Sequence, residues 1–215
     1  MKFPNAAKGV NRIFVAEILG LIAAIILVVS AIVAVLTLSS TSNADTAIAS
    51  LGITGILAII AAVLSIIGAI MSLVGIVNAS KDETSFKSAL IVIIINLVLN
   101  VIAAFVNDAT VSSIISIVSN VAGLVVTVLV INGIMNLADK LGNSEVKAKG
   151  KSLLTIIIVV YALAIIANLI VAIFGGAAAS TIAAIISIVA AVLSVIQYIV
   201  YISFLKKGKD MLAAN

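Results

Sequence analysis

Few side chains in this sequence could carry chemistry, and most of these lie within long apolar runs. In the stretch VAEILG, Glu17 is the only charged residue inside such a run. A carboxylate within a membrane is costly and therefore indicates a functional site by default. Glu17 lies only about one helical turn from the basic N-terminal segment, however, where it could pair with Arg12, Lys8 or a loop lysine. We expect such a structural pairing, with proton or ion handling as the alternative.

Amide side chains form a second candidate set. Asn96 and Asn100 are four residues apart, so they share one face of a helix. Two such amides could line a polar path, or they could hydrogen-bond to neighbouring helices, each bond contributing roughly 0.6–2 kcal/mol. We expect interhelical packing rather than a solute pathway. The same two interpretations apply to the amides in the later apolar runs, which are Asn120, Asn168 and Gln197.

Small residues line one face of the second apolar run and part of the last one. Small residues let helices approach closely, so this pattern predicts tight packing within the chain. The alternative is an interface with a second copy or with another membrane subunit. The residues of this face are Ala61, Ser65, Gly68, Ser72 and Gly75, followed by Ala190 and Ser194.

Two further groups have modest candidate roles. Tyr198 and Tyr201 stand just ahead of Lys206 and Lys207, which predicts an aromatic and basic anchor at headgroup level, with a lipid-headgroup site as the alternative. Asp45 and Asp108, in SNAD and FVND, could meet around a cation. We expect these two aspartates to be solvated loop residues.

Other chemistries lack the residues that they need. The chain contains no cysteine and no histidine, so disulfides, thiolate metal sites, Ser–His pairs and histidine relays are excluded. The segment GNSEVKAKGKS lacks the glycine spacing and preceding strand of a phosphate-binding loop. We therefore expect no enzyme activity, no metal or other cofactor, no nucleotide and no nucleic-acid partner.

Composition places these residues in a membrane. Hydrophobic residues make up 64% of the 215-residue chain and charged residues only 9%, against roughly a quarter charged in soluble domains. A bilayer core needs about 20 apolar residues per helix. This predicts one all-α membrane domain over 1–215, a bundle of six transmembrane helices. The six predicted spans are 13–38, 47–77, 88–106, 113–135, 152–174 and 179–205.

The basic residues predict the orientation of the chain. All 12 lie in the N-terminal segment, the breaks 78–87 and 138–151, or the C-terminal segment. The breaks 39–46, 107–113 and 175–180 contain none. By the positive-inside rule, both termini are cytoplasmic, in a multi-pass protein of the cytoplasmic (inner) membrane. The first apolar run is too long for a signal peptide, so we expect it to be an uncleaved span.

The chain also contains internal sequence similarity. AAVLSIIGAI, which begins at Ala61, returns as AAVLSVIQYI at Ala190, and KSALIVIII at Lys87 is similar to KSLLTIIIV at Lys151. These matches fall at equivalent positions of successive hairpins. They predict a helical hairpin used three times, over approximately 8–80, 81–140 and 141–210. The alternative is chance similarity among helices of restricted composition.

Three loop patterns carry a resemblance to known proteins. They are NAAKGVNRIFVAEILGLIA at Asn5, KDETSFKSALI at Lys81 and NLADKLGNSEVKAKGK at Asn136. With them the chain resembles uncharacterised six-span integral membrane proteins of Clostridia-type bacteria. A related archaeal and bacterial group has a similar short loop of acidic residues, Phe and Lys or Arg. The resemblance implies a bacterial integral membrane protein and transfers no activity and no site residue.

Two functions fit these features. The first is a structural or accessory membrane protein that acts through helix–helix contacts, as a homo-oligomer or as a subunit of a larger membrane complex. The second is a small channel or transporter for an unidentified solute. We expect the first, because no ionisable residue lies at mid-membrane, where ion coupling would need one. Water reaching Asn96 and Asn100 would favour the second.

Overall fold

The computed structural model describes residues 2–40, 44–105, 109–174 and 176–215. These residues form six α-helices and no strand, as the sequence predicts. Apolar runs of this length become helices because a backbone in lipid must satisfy its own hydrogen bonds. The helices are α1 (Pro4–Ser40), α2 (Ala44–Ala79), α3 (Thr84–Ala104), α4 (Ala109–Lys140), α5 (Ser144–Phe174) and α6 (Gly176–Ala214).

Five of the six helices are long and apolar enough to cross a membrane. The protein is therefore a multi-pass helical membrane protein. The five apolar stretches are Pro4–Leu36, Gly52–Ala79, Thr84–Ala104, Ile117–Lys140 and Ala184–Ala214. In the described part of the chain, α5 is not one of them, and its first turns carry the charged sequence SEVKAKGK. The sixth span, 152–174, stays a prediction.

The charged breaks are much shorter than the sequence suggests. Only 80–83 and 141–143 interrupt the helices where the predicted breaks were 78–87 and 138–151. Two local features end one helix and start the next within three residues. Gly142 adopts a positive φ of 70°, which glycine tolerates without a steric penalty. The Asn143 side chain then accepts a hydrogen bond from the Val146 N–H at 3.0 Å and caps α5.

The helices are arranged as three hairpins that close a ring. The most extensive contacts join α1 to α2, α3 to α4 and α5 to α6. Between hairpins, α2 contacts α3, α4 contacts α5, and α6 returns to contact α1. This arrangement brings the two ends of the chain together, and the Lys2 N–H donates to the Asn215 carbonyl at 2.8 Å.

The hydrophobic core lies at one end of this ring. We call it the charged end: it carries both termini and the turns 80–83 and 141–143. All six helices contribute buried apolar side chains to it, among them Val10, Ile76, Phe86, Ile134, Leu153 and Phe204.

Packing is sparse away from the charged end. None of the described side chains from 90 to 105 on α3, or from 111 to 129 on α4, is buried. In α3, Ile94, Ile95, Leu97 and Val98 are all about half exposed, so apolar surface faces outward on several sides of the helix. The hairpins are thus held together mainly at the charged end.

Candidate functional site: a carboxylate-lined cavity within the helices

Among the described glycines, the closest approach to the backbone of another helix is between α1 and α2. A β-carbon built on Gly9 would lie 2.4 Å from the Gly75 carbonyl oxygen, and one on Gly75 would lie 2.7 Å from the Gly9 carbonyl oxygen. Further along, a β-carbon on Gly68 would lie 3.2 Å from the Ala16 carbonyl oxygen. The small-residue face of α2 therefore packs against α1 of the same chain.

Gly9 was not singled out by the sequence analysis, although a signal for it exists. Gly9, Ala16 and Ala23 are spaced seven residues apart in α1, and all three are buried. A seven-residue spacing of small residues marks one continuous helix face. The sequence analysis used the neighbouring charges at Lys8 and Arg12 only for the orientation of the chain.

A cavity of about 290 Å³ lies between α1 and α2, beside this crossing. Its polar lining residues are Glu17, Ser65 and Ser72. The cavity exists because its other lining residues have little or no side chain to fill the space. Those residues are Ala16, Gly20, Gly68 and Ala69. Glu17 and three members of the small-residue face, which the sequence analysis proposed as two separate candidates, thus line one site; the three are Ser65, Gly68 and Ser72.

Tyr198, which lies on α6 in the third hairpin, donates a hydrogen bond to Glu17 on α1. Its hydroxyl lies 3.2 Å from Glu17 Oε2 and 2.9 Å from the Glu17 carbonyl oxygen. The expected pairing with Arg12 or Lys8 is wrong, because none of the ion pairs among the described residues includes Glu17. Arg12 lies five residues earlier, about 7.5 Å along the helix. The ring, by contrast, brings α6 against α1 at the level of Glu17.

The structure packs Tyr198 and Tyr201 against other helices, and their role as an anchor at headgroup level stays a prediction. Tyr201 is only 9% exposed and belongs to the core, and Tyr198 is partly buried against it. Their position follows from the length of α6, which continues to Ala214. The tyrosines therefore lie well inside the helix, on the side that packs against α1.

The amides of Asn96 and Asn100 lie in the α3–α4 hairpin, whereas Glu17 lies in the α1–α2 hairpin. The Asn100 side-chain NH₂ lies 2.8 Å from the Asn96 carbonyl oxygen, 3.2 Å from Asn96 Oδ1 and 3.2 Å from Ser119 Oγ. The last of these bonds joins α3 to α4. The pair is thus engaged in packing within its own hairpin, and it lies on other helices than the Glu17 cavity.

Of the remaining amides, the two whose side chains are described, Asn120 and Gln197, form no hydrogen bond with this pair. Asn120 is exposed on α4. Gln197, on α6, has its Oε1 buried without a hydrogen-bond partner. Asn168 lies in α5, but its side chain falls outside the described part of the structure, as do the side chain of Asp45 and all of Asp108.

The repeated sequence AAVLS has the same local structure in both copies. Ser65 Oγ donates to the Ala61 carbonyl at 2.9 Å, and Ser194 Oγ donates to the Ala190 carbonyl at 2.8 Å. Both alanines are buried. A serine that bonds the carbonyl four residues earlier satisfies its hydroxyl inside its own helix, which costs little in lipid.

Polar contacts between helices tie the charged end together, and the sequence analysis did not foresee them. Asp82, in the turn after α2, accepts hydrogen bonds from the Ala6 N–H at 2.7 Å and from Asn5 Nδ2 at 3.0 Å, so it caps α1. The Lys149 ammonium donates to Ser203 Oγ at 2.6 Å, between α5 and α6. These partners are 54 to 77 residues apart, so no short-range sequence pattern predicts the contacts.

Three carboxylates at this end have lowered pKa values, and for Asp139 the cause is a hydrogen bond from Lys147 together with the charge of Lys147. Burial raises the pKa of Glu83, but hydrogen bonds from Lys140 and Asn136 and the charge of Lys140 outweigh it, so the net pKa is below its usual value. A hydrogen bond from Lys207, which also forms an ion pair with it, lowers the pKa of Glu145. All three groups are therefore ionised at neutral pH.

The arrangement supports binding or packing better than bond chemistry. Among the described residues, no three Asp or Glu side chains lie together in a way that could hold a metal ion. No protein-family model matches the chain, and no curated protein or solved structure is significantly similar to it. The resemblance to six-span bacterial membrane proteins therefore stays a prediction.

Proposed function

We propose that the protein is a structural or accessory membrane protein that acts through helix–helix contacts, as a homo-oligomer or as a subunit of a larger membrane complex. One observation carries this proposal: the hairpins pack together at the charged end, whereas many apolar side chains of the described helices away from it are exposed. Within lipid, helices associate through close packing rather than through a hydrophobic driving force. Another helix therefore gains the most packing energy where it fills a groove between the helices of this chain.

The groove between α4 and α5 illustrates such a surface. It has a volume of about 300 Å³, and its lining includes Leu124, Val128, Ile157, Tyr161 and Ile165. The lining is almost wholly apolar, so a polar solute has nothing to bind there. An apolar side chain of a neighbouring helix fits this chemistry.

The proposed topology has six spans, with α5 crossing over 152–174 and the charged end in the cytoplasm. Its support is that every lysine and arginine lies at the charged end. We also propose that the three hairpins are copies of one unit, supported by the matching hydrogen bonds of Ser65 and Ser194. Even spans with a cytoplasmic N-terminus return the C-terminus to the same side, where Lys2 and Asn215 meet.

The test is the mass of the intact complex extracted from native membranes in mild detergent. We expect the chain to carry a stoichiometric partner or a second copy. Val128→Trp, which blocks the α4–α5 groove, should release that partner. Ile56→Trp places the same bulk on an exposed position of α2 and should leave the complex intact. Recovery of the wild-type chain as a monomer alone would contradict the proposal.

A second candidate function is a small channel or transporter, and the Glu17 cavity is the observation that favours it. A carboxylate and two hydroxyls beside an unfilled space could hold a cationic solute in transit. If so, purified protein in liposomes should conduct a monovalent cation, and Glu17→Gln should abolish that flux. Asn96→Leu, on another hairpin, should leave the flux unchanged. Equal flux in wild-type and empty liposomes would exclude this candidate.

A further inference from the structure

A groove at the charged end lies between the first turns of α1 and the last turns of α6. It has a volume of about 330 Å³. Its polar lining is two lysines and one amide, Lys8, Lys209 and Asn11, and its remaining lining is apolar, from Pro4, Ala7 and Ala213. None of the described residues that line this groove is acidic.

The position of Lys209 is determined by a contact with the opposite helix. Its ammonium lies 4.9 Å from the centre of the Phe14 ring, so it reaches from α6 across to α1. A cation at this distance from an aromatic face is attracted to it. The acidic group nearest to this lysine is its neighbour Asp210, at 3.7 Å, and that carboxylate is more than half exposed. Lys8 is exposed and takes part in none of the ion pairs among the described residues.

The two lysines also lie at the same depth relative to the membrane. The apolar parts of the helices begin near Ile13 in α1 and end near Leu205 in α6. At 1.5 Å per residue, Lys8 lies about 7.5 Å and Lys209 about 6 Å beyond these residues. The headgroup layer on each side of a bilayer is roughly 5–7 Å thick. Both ammonium groups therefore reach the level of the lipid phosphates, given the proposed placement of the charged end at the membrane surface.

We propose that this groove binds the headgroup of an anionic phospholipid. Lys8 and Lys209 pair with the lipid phosphate, as lysine does at many phosphate sites. The Asn11 amide donates to a phosphate or headgroup oxygen, and the apolar walls contact the carbon atoms of the headgroup. A lipid is the favoured source of the phosphate because the lysines lie at phosphate depth and most of the lining is apolar.

The experiment measures retention of phosphatidylglycerol by the purified full-length chain. The protein is placed in nanodiscs of phosphatidylcholine containing a small fraction of phosphatidylglycerol, and bound lipid is counted by mass spectrometry after release. The test variant is Lys8→Gln with Lys209→Gln. The matched control is Lys87→Gln with Lys151→Gln, which removes the same two charges from exposed positions on α3 and α5.

The expected result is one tightly held phosphatidylglycerol in the wild type and in the control. The test variant should bind it roughly thirtyfold more weakly, since each lysine near the surface contributes about 1 kcal/mol, which is about fivefold in affinity. Lys8→Gln alone leaves the Phe14 contact of Lys209 in place. This single variant should bind the lipid about fivefold more weakly, which is half of the loss on a logarithmic scale. A circular dichroism spectrum like that of the wild type would show that the variants are folded.

Three results would overturn the proposal. Equal losses in the test and control variants would mean diffuse attraction to the surface instead of a site. Displacement of the lipid by millimolar inorganic phosphate would identify a soluble phosphate ligand as the occupant. Equal retention of phosphatidylcholine and phosphatidylglycerol would remove the charge selectivity. None of these results bears on the mass of the complex, so failure of this proposal can be distinguished from failure of the proposed function.

Discussion

Glu83 and Lys140 form an ion pair in which Glu83 Oε2 and the Lys140 ammonium are 2.5 Å apart. Glu83 immediately precedes α3, and Lys140 is the last residue of α4, so the pair joins the two ends of one hairpin. Glu83 is buried, and its other carboxylate oxygen accepts a hydrogen bond from Asn136 at 3.0 Å. Two side chains of α4, Lys140 and Asn136, thus compensate the charge of Glu83. Loss of the ion pair should therefore weaken the packing of the charged end.

Lys140→Met should lower the free energy of unfolding by about 1–2 kcal/mol, because it leaves a buried carboxylate with one partner fewer. The estimate is kept small because half of the lysine side chain is exposed, where solvent screens the pair. Chemical denaturation in detergent micelles measures the change. Lys87→Met, at an exposed position of α3, is the control and should unfold like the wild type. Equal stability of both variants would mean that the ion pair contributes nothing.

Stability should fall in acid. The pKa values of Glu83 and Glu145 are lowered in the folded chain, so these groups stabilise the fold above the unfolded pKa, near 4.5. That contribution is lost as the pH falls through the folded pKa values, because the unfolded chain then binds more protons. The thermal midpoint in detergent should therefore be flat from pH 8 to 6 and decline below about pH 4.5.

Glu83→Gln gives the control for this pH dependence. The glutamine amide cannot titrate, so the decline of its thermal midpoint below pH 4.5 should be shallower than in the wild type. Its midpoint at neutral pH should already be lower, since the ion pair with Lys140 is absent. An acid decline of the same steepness in both proteins would assign the effect to other carboxylates.

Gly9→Ala should destabilise the packing of α1 on α2. The added methyl would lie 2.4 Å from the Gly75 carbonyl oxygen, and a backbone atom cannot move aside as a flexible side chain can. Overpacking of this kind costs about 1–3 kcal/mol. The matched control is Gly123→Ala, since a β-carbon there would meet no atom within 4 Å. Denaturation midpoints compare the two, and an equally stable Gly9→Ala variant would show that the two helices can separate without penalty.

The orientation of α5 can be read with single cysteines, because the chain has none of its own. Ser144→Cys is at the first residue of α5, and Ser180→Cys lies beyond its end, in α6. If α5 spans the membrane, a membrane-impermeant maleimide added outside intact cells should label position 180 and leave position 144 unlabelled. Ser80→Cys, in the turn between α2 and α3, should be protected as position 144 is. Identical labelling at 144 and 180 would remove the sixth span from the topology.

The local features of the fold were largely predictable. A backbone in lipid has no other hydrogen-bond partners, so each long apolar run must be a helix, and five such helices follow from hydropathy alone. The predicted breaks were too long because they were placed by charge. Lysine and glutamate are good helix formers, and the actual stops at 80–83 and 141–143 depend on caps and on the positive φ of Gly142.

The sequence alone determined that this is a helical membrane protein, since hydropathy and helix formation are properties of single segments. Tertiary structure decided which residues meet. Glu17 and Tyr198 are 181 residues apart, and Asn5 and Asp82 are 77 apart. These contacts exist because three hairpins close into a ring that returns α6 to α1. No periodicity within one helix encodes that closure, because it depends on how the side chains of different hairpins fit together at the charged end.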